Sequence, residues 1–313
     1  MKRVLLPLLI CPACLPKEHP LDLSCGGERD GDIRDGTLSC RRCRRRYPIR
    51  EGVAVLLPEP EEGPSGGQWK YEEAATVNSY LWSHFADLTG DPDAGTAYGD
   101  WAGCLATGGE RAFDAGCAVG RLTFEMAQRS EVAVGCDLSV AFVRTARRLA
   151  AKGRIDFSLP LEGNLREEFR VELPGHWRTD RTEFVVADAL RIPFARGCFD
   201  QAAALNLVDR VRHPLAHLYE INRVASAAGA SLLFSDPFSW STANTPEEAW
   251  LGGTAAGPYA GRGIDNVRAL LEGRDGIIAP PWRIDREGSV DWKLRSHHNH
   301  FELVRSRFLA ALR

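Results

Sequence analysis

The sequence contains no long hydrophobic run and has almost no net charge. No apolar stretch reaches the roughly 18 residues that a membrane-spanning helix needs. The 39 Lys and Arg residues nearly balance 42 Asp and Glu residues, which leaves a formal charge of −3. The first absence argues against a transmembrane segment. The second excludes a global field that would draw the whole protein onto nucleic acid or an anionic membrane, so any such contact has to be local.

The N-terminal residues share some features with a signal peptide. Lys2 and Arg3 precede the apolar run VLLPLLI. Pro7 interrupts this run, and the bulky Ile10 stands where a small residue is expected before a cleavage site. We therefore interpret the run as a strand of a small domain and expect a cytoplasmic protein.

The length and composition predict one enzyme-sized core with a small additional domain. The chain has 313 residues, of which 44% are hydrophobic and 26% are charged. These fractions are typical of folded globular proteins and not of disordered or fibrous ones. A chain of this length can form one core domain and still leave about fifty residues for a second, smaller domain.

Two C-x-x-C pairs near the N-terminus predict a structural zinc site. Cys11 and Cys14 form the first pair, CPAC, and Cys40 and Cys43 form the second, CRRC. Four thiolates at this spacing are typical of a closed tetrahedral zinc site that holds a fold together. Two disulfides or a redox C-x-x-C are the alternatives, but the first needs an oxidising compartment and the second a strand-to-helix context.

The zinc ribbon is predicted to occupy residues 1–57 and to be followed by an acidic, Pro- and Gly-rich linker at 58–67. The segment VAVLL reads as the closing strand of the ribbon. Six arginines lie between Arg41 and Arg50. They offer a contact for phosphates, although a solvated charged face is the alternative, and few aromatic residues are interleaved with them.

Residues 68–313 are predicted to form the main domain, which begins with helices at 68–107. The aromatic residues Tyr80 and Trp82 lie on the first helix at near-helical spacing with Phe85. They would contact a substrate if this segment forms a lid, or pack the helix on the sheet if it does not.

Strands and helices then alternate, which is typical of a parallel α/β sheet. The segments RAFDAG, VAVGCDL, EFVVADAL, FDQAAALNL and ASLLFSDP read as strands, with helical patterns between them. Residues 154–182 are longer than an ordinary connection and predict an inserted hairpin. In a doubly wound sheet, ligands bind at the carboxyl ends of the strands.

Acidic residues follow three successive strands. Each of these strands ends near an aspartate: Asp114, Asp137 and Asp188. Asp114 belongs to the loop segment FDAGCAVG. This loop has neither the third glycine nor the lysine of phosphate-binding loops, so a phosphate ligand is disfavoured. A carboxylate about twenty residues after the loop suits ribose hydroxyls. Together the three predict a nucleoside with a cationic sulfonium, S-adenosylmethionine, whereas any one alone would also serve as a helix cap or turn residue.

From 111 to 236 the chain resembles the class I S-adenosylmethionine-dependent methyltransferases. The segments FDAGCAVG, GCDLS, VADAL and FDQAAALNL stand where that family has its cofactor motifs. The resemblance implies a Rossmann-like, doubly wound sheet of seven strands and methyl transfer as the activity. The residues that it assigns to the cofactor are Asp114, Gly116, Cys117, Gly120, Asp137, Leu138, Ser139, Asp188, Ala189, Asn206 and Leu207.

Two narrower resemblances concern the acceptor and the ribbon. GCAVGRLTFE, ALNLVDRVRHP, SDPFSW and TPEEAWLGG are similar to the C-terminal methyltransferase domain of ovothiol synthases, which implies N-methylation of a thiolated histidine. The tail after 253 departs from that pattern, and no sulfur-transfer domain is present in this sequence. The ribbon resembles the activator subunits of tRNA and protein methyltransferases and, more distantly, the ribbon of 23S rRNA guanine methyltransferases.

Methyl transfer from a sulfonium is an in-line displacement that needs alignment more than acid or base groups. The segment after the fourth strand would lie nearest the transferred group, which makes Asn206, Asp209 and Arg210 the candidate catalytic residues. A helix cap or surface ion pair is the alternative for the two charged residues. Phe238 and Trp240 begin a predicted substrate-side insertion at 237–263 and would line the acceptor pocket or pack in the core.

Three histidines, His297, His298 and His300, precede the last predicted strand, where a loop is the safer interpretation than a second metal site. The leading hypothesis is a methyltransferase that acts on a nitrogen or sulfur of a small, amino-acid-like, thiol- or imidazole-bearing acceptor. An RNA or tRNA methyltransferase that uses the ribbon to bind RNA is the first alternative. The second is a non-catalytic partner subunit that holds the cofactor.

Overall fold

The computed structural model describes residues 1–58 and 66–313. Most of the predicted linker, residues 59–65, lies outside the described residues. Within them, the strands in chain order are β1 (Leu21–Arg29), β2 (Asp32–Cys40), β3 (Arg46–Arg50), β4 (Val53–Leu56), β5 (Arg111–Ala115), β6 (Val132–Asp137), β7 (Arg154–Glu162), β8 (Leu165–Glu172), β9 (Thr182–Ala187), β10 (Gln201–Leu205), β11 (Ser231–Asp236), β12 (Arg283–His297) and β13 (His300–Leu312). The α-helices are α1 (Ala74–Phe85), α2 (Ala97–Ala102), α3 (Arg121–Ala127), α4 (Val140–Lys152), α5 (Pro214–Val224) and α6 (Gly263–Leu271).

Seven strands of the main domain form a sheet in the order β9-β6-β5-β10-β11-β13-β12. The pairs from β9 to β11 are parallel, whereas β13 runs antiparallel to both β11 and β12. The order reverses between β5 and β10, as in a doubly wound sheet. The predicted α/β sheet of seven strands is confirmed.

Helices cover both faces of this sheet because successive strand residues point to opposite sides. On β10, Ala202 packs in one core cluster with Leu218 of α5, and Ala203 packs in another with Leu122 of α3. Both clusters consist of buried side chains. The burial of both faces explains why the central strands carry continuous apolar runs instead of an alternating pattern.

The ribbon is continuous with the main sheet. Strands β1 to β4 form an antiparallel meander, and β4 then pairs in parallel with β9 through Val55 opposite Val186 and Leu56 opposite Ala187. The two parts therefore build one sheet of eleven strands within the described residues. The predicted closing strand of the ribbon thus also joins it to the core.

The apolar run at the N-terminus is not the strand that the sequence predicted. Arg3–Leu8 forms a 3-10 helix with Leu5 fully buried. Pro7 lies inside it, and a proline has no N–H to contribute to a strand ladder. The residues just beyond bond to the core instead, where Ile10 N donates to the Pro193 carbonyl at 3.0 Å.

Buried ion pairs reinforce the junction between ribbon and core. Arg147 of α4 donates to the Asp32 carboxylate at 2.8 and 3.1 Å and pairs with Glu183 at the core edge. On another side, Arg223 of α5 pairs with Glu18 at 3.0 Å. Because both arginine side chains are largely buried, these pairs are shielded from solvent screening.

Two further segments surround the carboxyl ends of the strands. Strands β7 and β8 pair as an antiparallel hairpin outside the main sheet. The long strands β12 and β13 form a second hairpin whose side chains reach α1 and α2. No helix in the described parts of the chain is long and apolar enough to cross a membrane.

Candidate functional site

A cavity of about 710 Å³ opens at the carboxyl ends of β5, β6, β9 and β10. Its size lies in the range of small-ligand sites, about 300 to 1,000 Å³. Many of the residues predicted from the sequence line this cavity, and most of them come from the ends of these four strands. Those that line the cavity are Asp114, Gly116, Cys117, Asp137, Leu138, Asp188, Ala189, Asn206, Leu207, Arg210 and Tyr80.

Asp137 ends β6 at the floor of the cavity, held by two backbone amides. Its Oδ2 accepts from Ala118 N at 3.0 Å and its Oδ1 from Ser139 N at 2.9 Å. Burial raises its pKa to about 6, while these hydrogen bonds act in the opposite direction. Each oxygen retains a second lone pair. The carboxylate is thus fixed in place and can still accept hydrogen bonds from a pair of hydroxyl groups.

Two more carboxylates border the cavity. Asp114 accepts from Thr123 Oγ1 at 2.8 Å, and burial raises its pKa to about 7. Asp188 accepts from Leu190 N at 2.8 Å, and burial raises its pKa as well. A cavity lined by three acidic groups, one of them buried and two half-buried, favours a ligand that carries positive charge and hydrogen-bond donors.

The glycines of the first loop have different roles. Gly116 has φ +73°, and a Cβ there would lie 3.0 Å from Leu207 Cδ2, so a side chain would close the cavity floor. Gly120 does not line the cavity. A Cβ on it would lie 2.7 Å from the Phe184 ring, so this glycine is required for packing of α3 on β9.

Ser139 also differs from its implied place beside the cofactor. Its Oγ accepts from Phe142 N at 3.0 Å as the N-cap of α4 and donates to the Tyr71 carbonyl at 2.9 Å. Glu72 completes this arrangement, because its carboxylate accepts from Val140 N and Ala141 N at 2.9 and 3.0 Å. The segment before α1 is thereby fastened over the cavity, and Lys70 and Tyr71 line it.

The candidate catalytic residues divide into two groups. Asn206 adopts φ +52°, and its Oδ1 accepts from Ser306 Oγ at 2.6 Å. Asn206 and Arg210 line the cavity, whereas Asp209 does not. The Asp209 side chain is fully buried, its Oδ2 accepts from Ser239 N at 2.9 Å, and Arg210 lies 3.2 Å from its other oxygen. Asp209 therefore connects the segments that follow β10 and β11 and does not line the cavity.

Asp236, which sequence reasoning left without a role, explains the burial of Asp209. Its carboxylate accepts from Val208 N at 2.9 Å, Asp209 N at 3.3 Å and Phe238 N at 2.7 Å. Burial, and then the Asp209 charge, raises the pKa of Asp236 well above its ordinary value. The two acidic groups thus hold the segments after β10 and β11 together at the rim.

Three of the four aromatic residues predicted to contact a substrate lie outside the cavity. Trp82 lies on the buried face of α1, and its Nε1 donates to Asp91 at 2.7 Å. Trp240 stacks on Trp250 with ring centroids 6.0 Å apart, and Phe238 packs beside it. Only Tyr80 lines the cavity. The predicted insertion instead contributes small and polar residues near 242–246.

Sequence reasoning missed one whole side of the cavity. His84, Tyr98, Trp292 and Glu302 line it from α1, α2, β12 and β13. These elements are distant in the sequence, so no local motif connects them. The one available signal was the isolated tryptophan in the alternating pattern of β12.

The four cysteines of the ribbon form one compact group. All four sulfur atoms lie within 4.8 Å of one another, with Cys11 to Cys43 at 3.5 Å and Cys14 to Cys40 at 3.8 Å. A tetrahedral zinc with bonds of about 2.3 Å separates its sulfur ligands by about 3.8 Å. The cluster can therefore bind zinc, and its four ligands would leave no position for a reacting water.

The three C-terminal histidines do not form a metal site. His297 ends β12 and His300 begins β13, with His298 in the turn. His298 Nδ1 lies 2.7 Å from Arg295 and 3.1 Å from Glu167, beside the Arg295–Glu167 ion pair that joins the two hairpins. Among the residues that the structure describes, the cysteine cluster alone has metal-binding geometry.

Two family models match the sequence, each over one part of the chain. Residues 113–233 match the methyltransferase domain model, and residues 2–52 match the model described as Trm112p-like protein. The chain carries a methyltransferase domain. A Trm112p-like zinc ribbon precedes it. No curated protein matches the sequence.

Solved structures with similar folds are distant. A SAM-dependent methyltransferase from Methanosarcina mazei is 18% identical, with a TM-score of 0.43, over 67% of this chain and 94% of its own. Magnesium protoporphyrin IX methyltransferase from Synechocystis, solved with bound SAM, is 18% identical with a TM-score of 0.40, over 82% and 87%.

A structure that contains both kinds of domain is equally distant. The Haloferax volcanii complex between the Trm112 methyltransferase activator and a candidate methyltransferase is 12% identical with a TM-score of 0.41, over 75% of this chain and 96% of the matched one. At such TM-scores the structures do not argue for a substrate or partner. The fold assignment rests on the strand order and the two family models.

Proposed function

We propose that this protein transfers a methyl group from S-adenosylmethionine to a nitrogen or sulfur atom of a small molecule. The observation that carries the proposal is the cavity at the strand ends of the methyltransferase domain, where Asp114, Asp137 and Asp188 converge. When bound, the cofactor supplies an electrophilic methyl group on a sulfonium.

The residues of the cavity suit the parts of this cofactor. Asp137 would accept hydrogen bonds from the ribose hydroxyls, since both of its oxygens retain a free lone pair. Asp188 lies at the next strand end, where it would receive the adenine amino group. Asp114, beside the glycine loop, would face the cationic methionine portion. Gly116 leaves the space that this portion requires.

A nitrogen or sulfur acceptor fits the groups that line the cavity. A neutral imidazole nitrogen or a thiol of low pKa has a nucleophilic lone pair near neutral pH and needs little help from a base. The described lining contains carboxyl groups with raised pKa and one buried histidine, His84, whose pKa burial lowers well below its ordinary value. The carboxyl groups are assigned above to the cofactor, and a histidine with a lowered pKa is a weak base that can orient an acceptor. The resemblance to the ovothiol-type domains stays a prediction.

Calorimetric titration of S-adenosylmethionine and S-adenosylhomocysteine tests the cofactor. Asp137→Ala should weaken both by about 10- to 100-fold, the effect of losing hydrogen bonds to a charged group. Asp156→Ala is the control, since Asp156 lies on the exposed β7-β8 hairpin and pairs only with Arg170 there. Absence of binding by the folded wild-type protein would contradict the proposal. Methylation of a metabolite panel would then identify the acceptor.

A second candidate function is methylation of RNA, which the ribbon favours by one feature. Arg42, Arg44 and Arg46 are exposed around the second C-x-x-C pair. Arg41, also exposed, is paired with Asp22 at 2.5 Å. If this function is correct, RNA binding should weaken steeply with salt and be lost when the three unpaired arginines become glutamine. If RNA is methylated and no metabolite of the panel is, RNA methylation replaces small-molecule methylation as the proposed function.

A further inference from the structure

One end of the cavity is an aromatic chamber, formed by Tyr80, His84, Tyr98 and Trp292. The ring centroids of His84 and Tyr98 lie 4.2 Å apart, those of Tyr80 and His84 5.6 Å, and those of Tyr80 and Trp292 5.9 Å. Helices α1 and α2 supply three of the rings, and β12 supplies the fourth. At these distances the rings contact one another, so together they form one continuous aromatic wall at this end of the cavity.

The chamber adjoins the strand ends that the proposed cofactor would occupy. Burial, followed by the charge of Asp114, raises the pKa of Tyr98 well above its ordinary value. Burial, the neighbouring Tyr71 and then Asp137 do the same to Tyr80. The two carboxylates are thus close enough to act on the tyrosines, and a molecule in the chamber would lie next to the reacting group.

Two nitrogen atoms of the chamber are buried without a hydrogen-bond partner among the described residues, His84 Nδ1 and Trp292 Nε1. The two residues are 2% and 7% exposed, and their ring centroids lie 6.4 Å apart. A buried polar group without a partner is costly and calls for an explanation. A ligand that bonds to both atoms would supply it.

The chemistry of the two atoms limits the ligand. The indole Nε1 of Trp292 can only donate, so the ligand must present an acceptor atom to it. His84 Nε2 already bonds to the Tyr98 hydroxyl at 2.6 Å, which leaves Nδ1 for the ligand. The two residues would therefore hold one polar edge of a ring whose faces pack against Tyr80 and its neighbours.

The charge of the chamber favours an uncharged ligand. Burial, and then the nearby Arg121, lowers the pKa of His84 well below its ordinary value, so its imidazole is neutral at pH 7. The tyrosines and the tryptophan are neutral as well. An anionic ligand would lose its hydration here and would also meet the carboxylates of Asp114 and Asp137 in the same cavity. Aromatic faces also attract cations, which makes a cationic ligand the main competitor.

We infer that the aromatic chamber is the acceptor site and that it takes an uncharged planar nitrogen heterocycle, held through its polar edge by His84 Nδ1 and Trp292 Nε1. This inference rests on the proposed function for the adjacent cofactor. Since the two nitrogens hold the polar edge, the atom that receives the methyl group lies elsewhere on the acceptor.

The test uses imidazole as the probe at pH 8.5, where it is uncharged, on the full chain with bound S-adenosylhomocysteine. Calorimetric or ligand-detected NMR titration compares it with benzene, which has the ring but no polar edge, and with tetramethylammonium, a cation of similar size. Imidazole should bind about tenfold more tightly than benzene, the effect of two ordinary hydrogen bonds. It should also bind more tightly than tetramethylammonium.

Two substitutions assign this preference to the two nitrogens. Trp292→Phe keeps an aromatic face and removes the N–H, and His84→Phe removes the other nitrogen. Each should weaken imidazole by about threefold and leave benzene and S-adenosylhomocysteine unchanged. Trp240→Phe is the matched control, since Trp240 Nε1 is also buried without a partner among the described residues but lies outside the cavity. If His84→Phe fails to fold, Trp292→Phe and its control still decide.

The possible results separate the inference from the proposed function. Failure of S-adenosylhomocysteine to bind to the folded wild type would contradict the proposed function. Cofactor binding with imidazole no tighter than benzene, or weaker than tetramethylammonium, would overturn the chamber assignment alone. An equal loss of imidazole binding in Trp292→Phe and Trp240→Phe would overturn it too.

Discussion

The zinc ribbon and the aromatic chamber are assembled in opposite ways. In the ribbon, two short motifs supply four ligands, and the sulfur atoms lie within 4.8 Å of one another. In the chamber, His84, Tyr98 and Trp292 come from three elements that meet only in the folded chain. Spacing alone therefore reveals the first site, while the second becomes visible only in three dimensions.

The two regions also depend differently on the rest of the molecule. The cysteine group of the ribbon can bind a metal that would hold its two C-x-x-C pairs together, whereas the chamber relies on packing of α1, α2 and β12. The junction at β4 and β9 connects them. The predictions below separate these dependences, beginning with the largest effect.

Loss of the metal should unfold the ribbon and destabilise the core. Structural zinc contributes about 10 to 16 kcal/mol in zinc-finger peptides, which equals or exceeds the usual total stability of about 5 to 15 kcal/mol. Cys40→Ser should therefore abolish zinc binding, measured by metal analysis, and strongly lower the thermal midpoint. Cys25→Ser, a change of an exposed cysteine in the same ribbon, should alter neither. Retention of zinc by Cys40→Ser would contradict the assignment.

Breaking the buried ion pairs at the junction should have the next largest effect. Arg147→Met leaves Glu183 without its buried cation, whereas Asp32 keeps the amino terminus at 2.8 Å. Removal of one partner of a buried ion pair typically costs about 3 to 5 kcal/mol. Urea unfolding followed by circular dichroism measures the loss. Arg144→Met on the same helix is the control, since Arg144 forms only an exposed pair with Glu51 and such pairs contribute about 1 kcal/mol or less. Equal losses in the two variants would show that the junction does not depend on this group.

A change in pH should affect the stability of the protein and its affinity for the cofactor in opposite directions. Burial raises the pKa of Asp137 to about 6 and that of Asp114 to about 7, against about 3.9 in an unfolded chain. The folded state thus holds protons that the unfolded state releases. The contribution of these groups to stability is complete below pH 4 and is lost as the pH rises through 6 to 7.

Cofactor binding should follow the other direction, because the ribose needs the ionised form of Asp137. The affinity for S-adenosylhomocysteine should fall about tenfold between pH 7.5 and pH 5, one decade per unit below the pKa. Asp137→Asn should remove most of this dependence. A profile that is equally steep in the variant would assign the titration to Asp114 or Asp188 instead.

Much of the fold follows from the sequence because its signals are local. The parallel α/β sheet could be predicted since apolar runs and helical patterns alternate, and the acidic strand ends pointed to the cavity. The number of seven strands came from the resemblance to class I methyltransferases. The pairing of β4 with β9 could not, because a short apolar strand does not specify its partner. The 3-10 helix at Arg3–Leu8 was missed for a similar reason, since bonds to distant core residues decide its conformation.

The candidate site shows the same limit. Asp137 and Asn206 stand at strand ends and were predicted to line the cavity, where the structure places them. Asp209 was a candidate catalytic residue from its position alone, but its carboxylate is buried and accepts from Ser239 N. Trp82 and Trp240 were predicted to contact a substrate, but both lie outside the cavity. The same sequence pattern allows an aromatic residue near the rim to face either the core or the cavity.

The pairing of β4 with β9 has a consequence for how the protein behaves at high concentration. Without the ribbon, β9 would be the open edge of the core sheet, and its unpaired N–H and C=O groups would form a template for other chains. The ribbon moves that boundary outward to β1, whose register is interrupted near Gly27, and such bulges make an edge a poor template for pairing. The ribbon thus covers an edge through which the methyltransferase domain could otherwise pair with another copy.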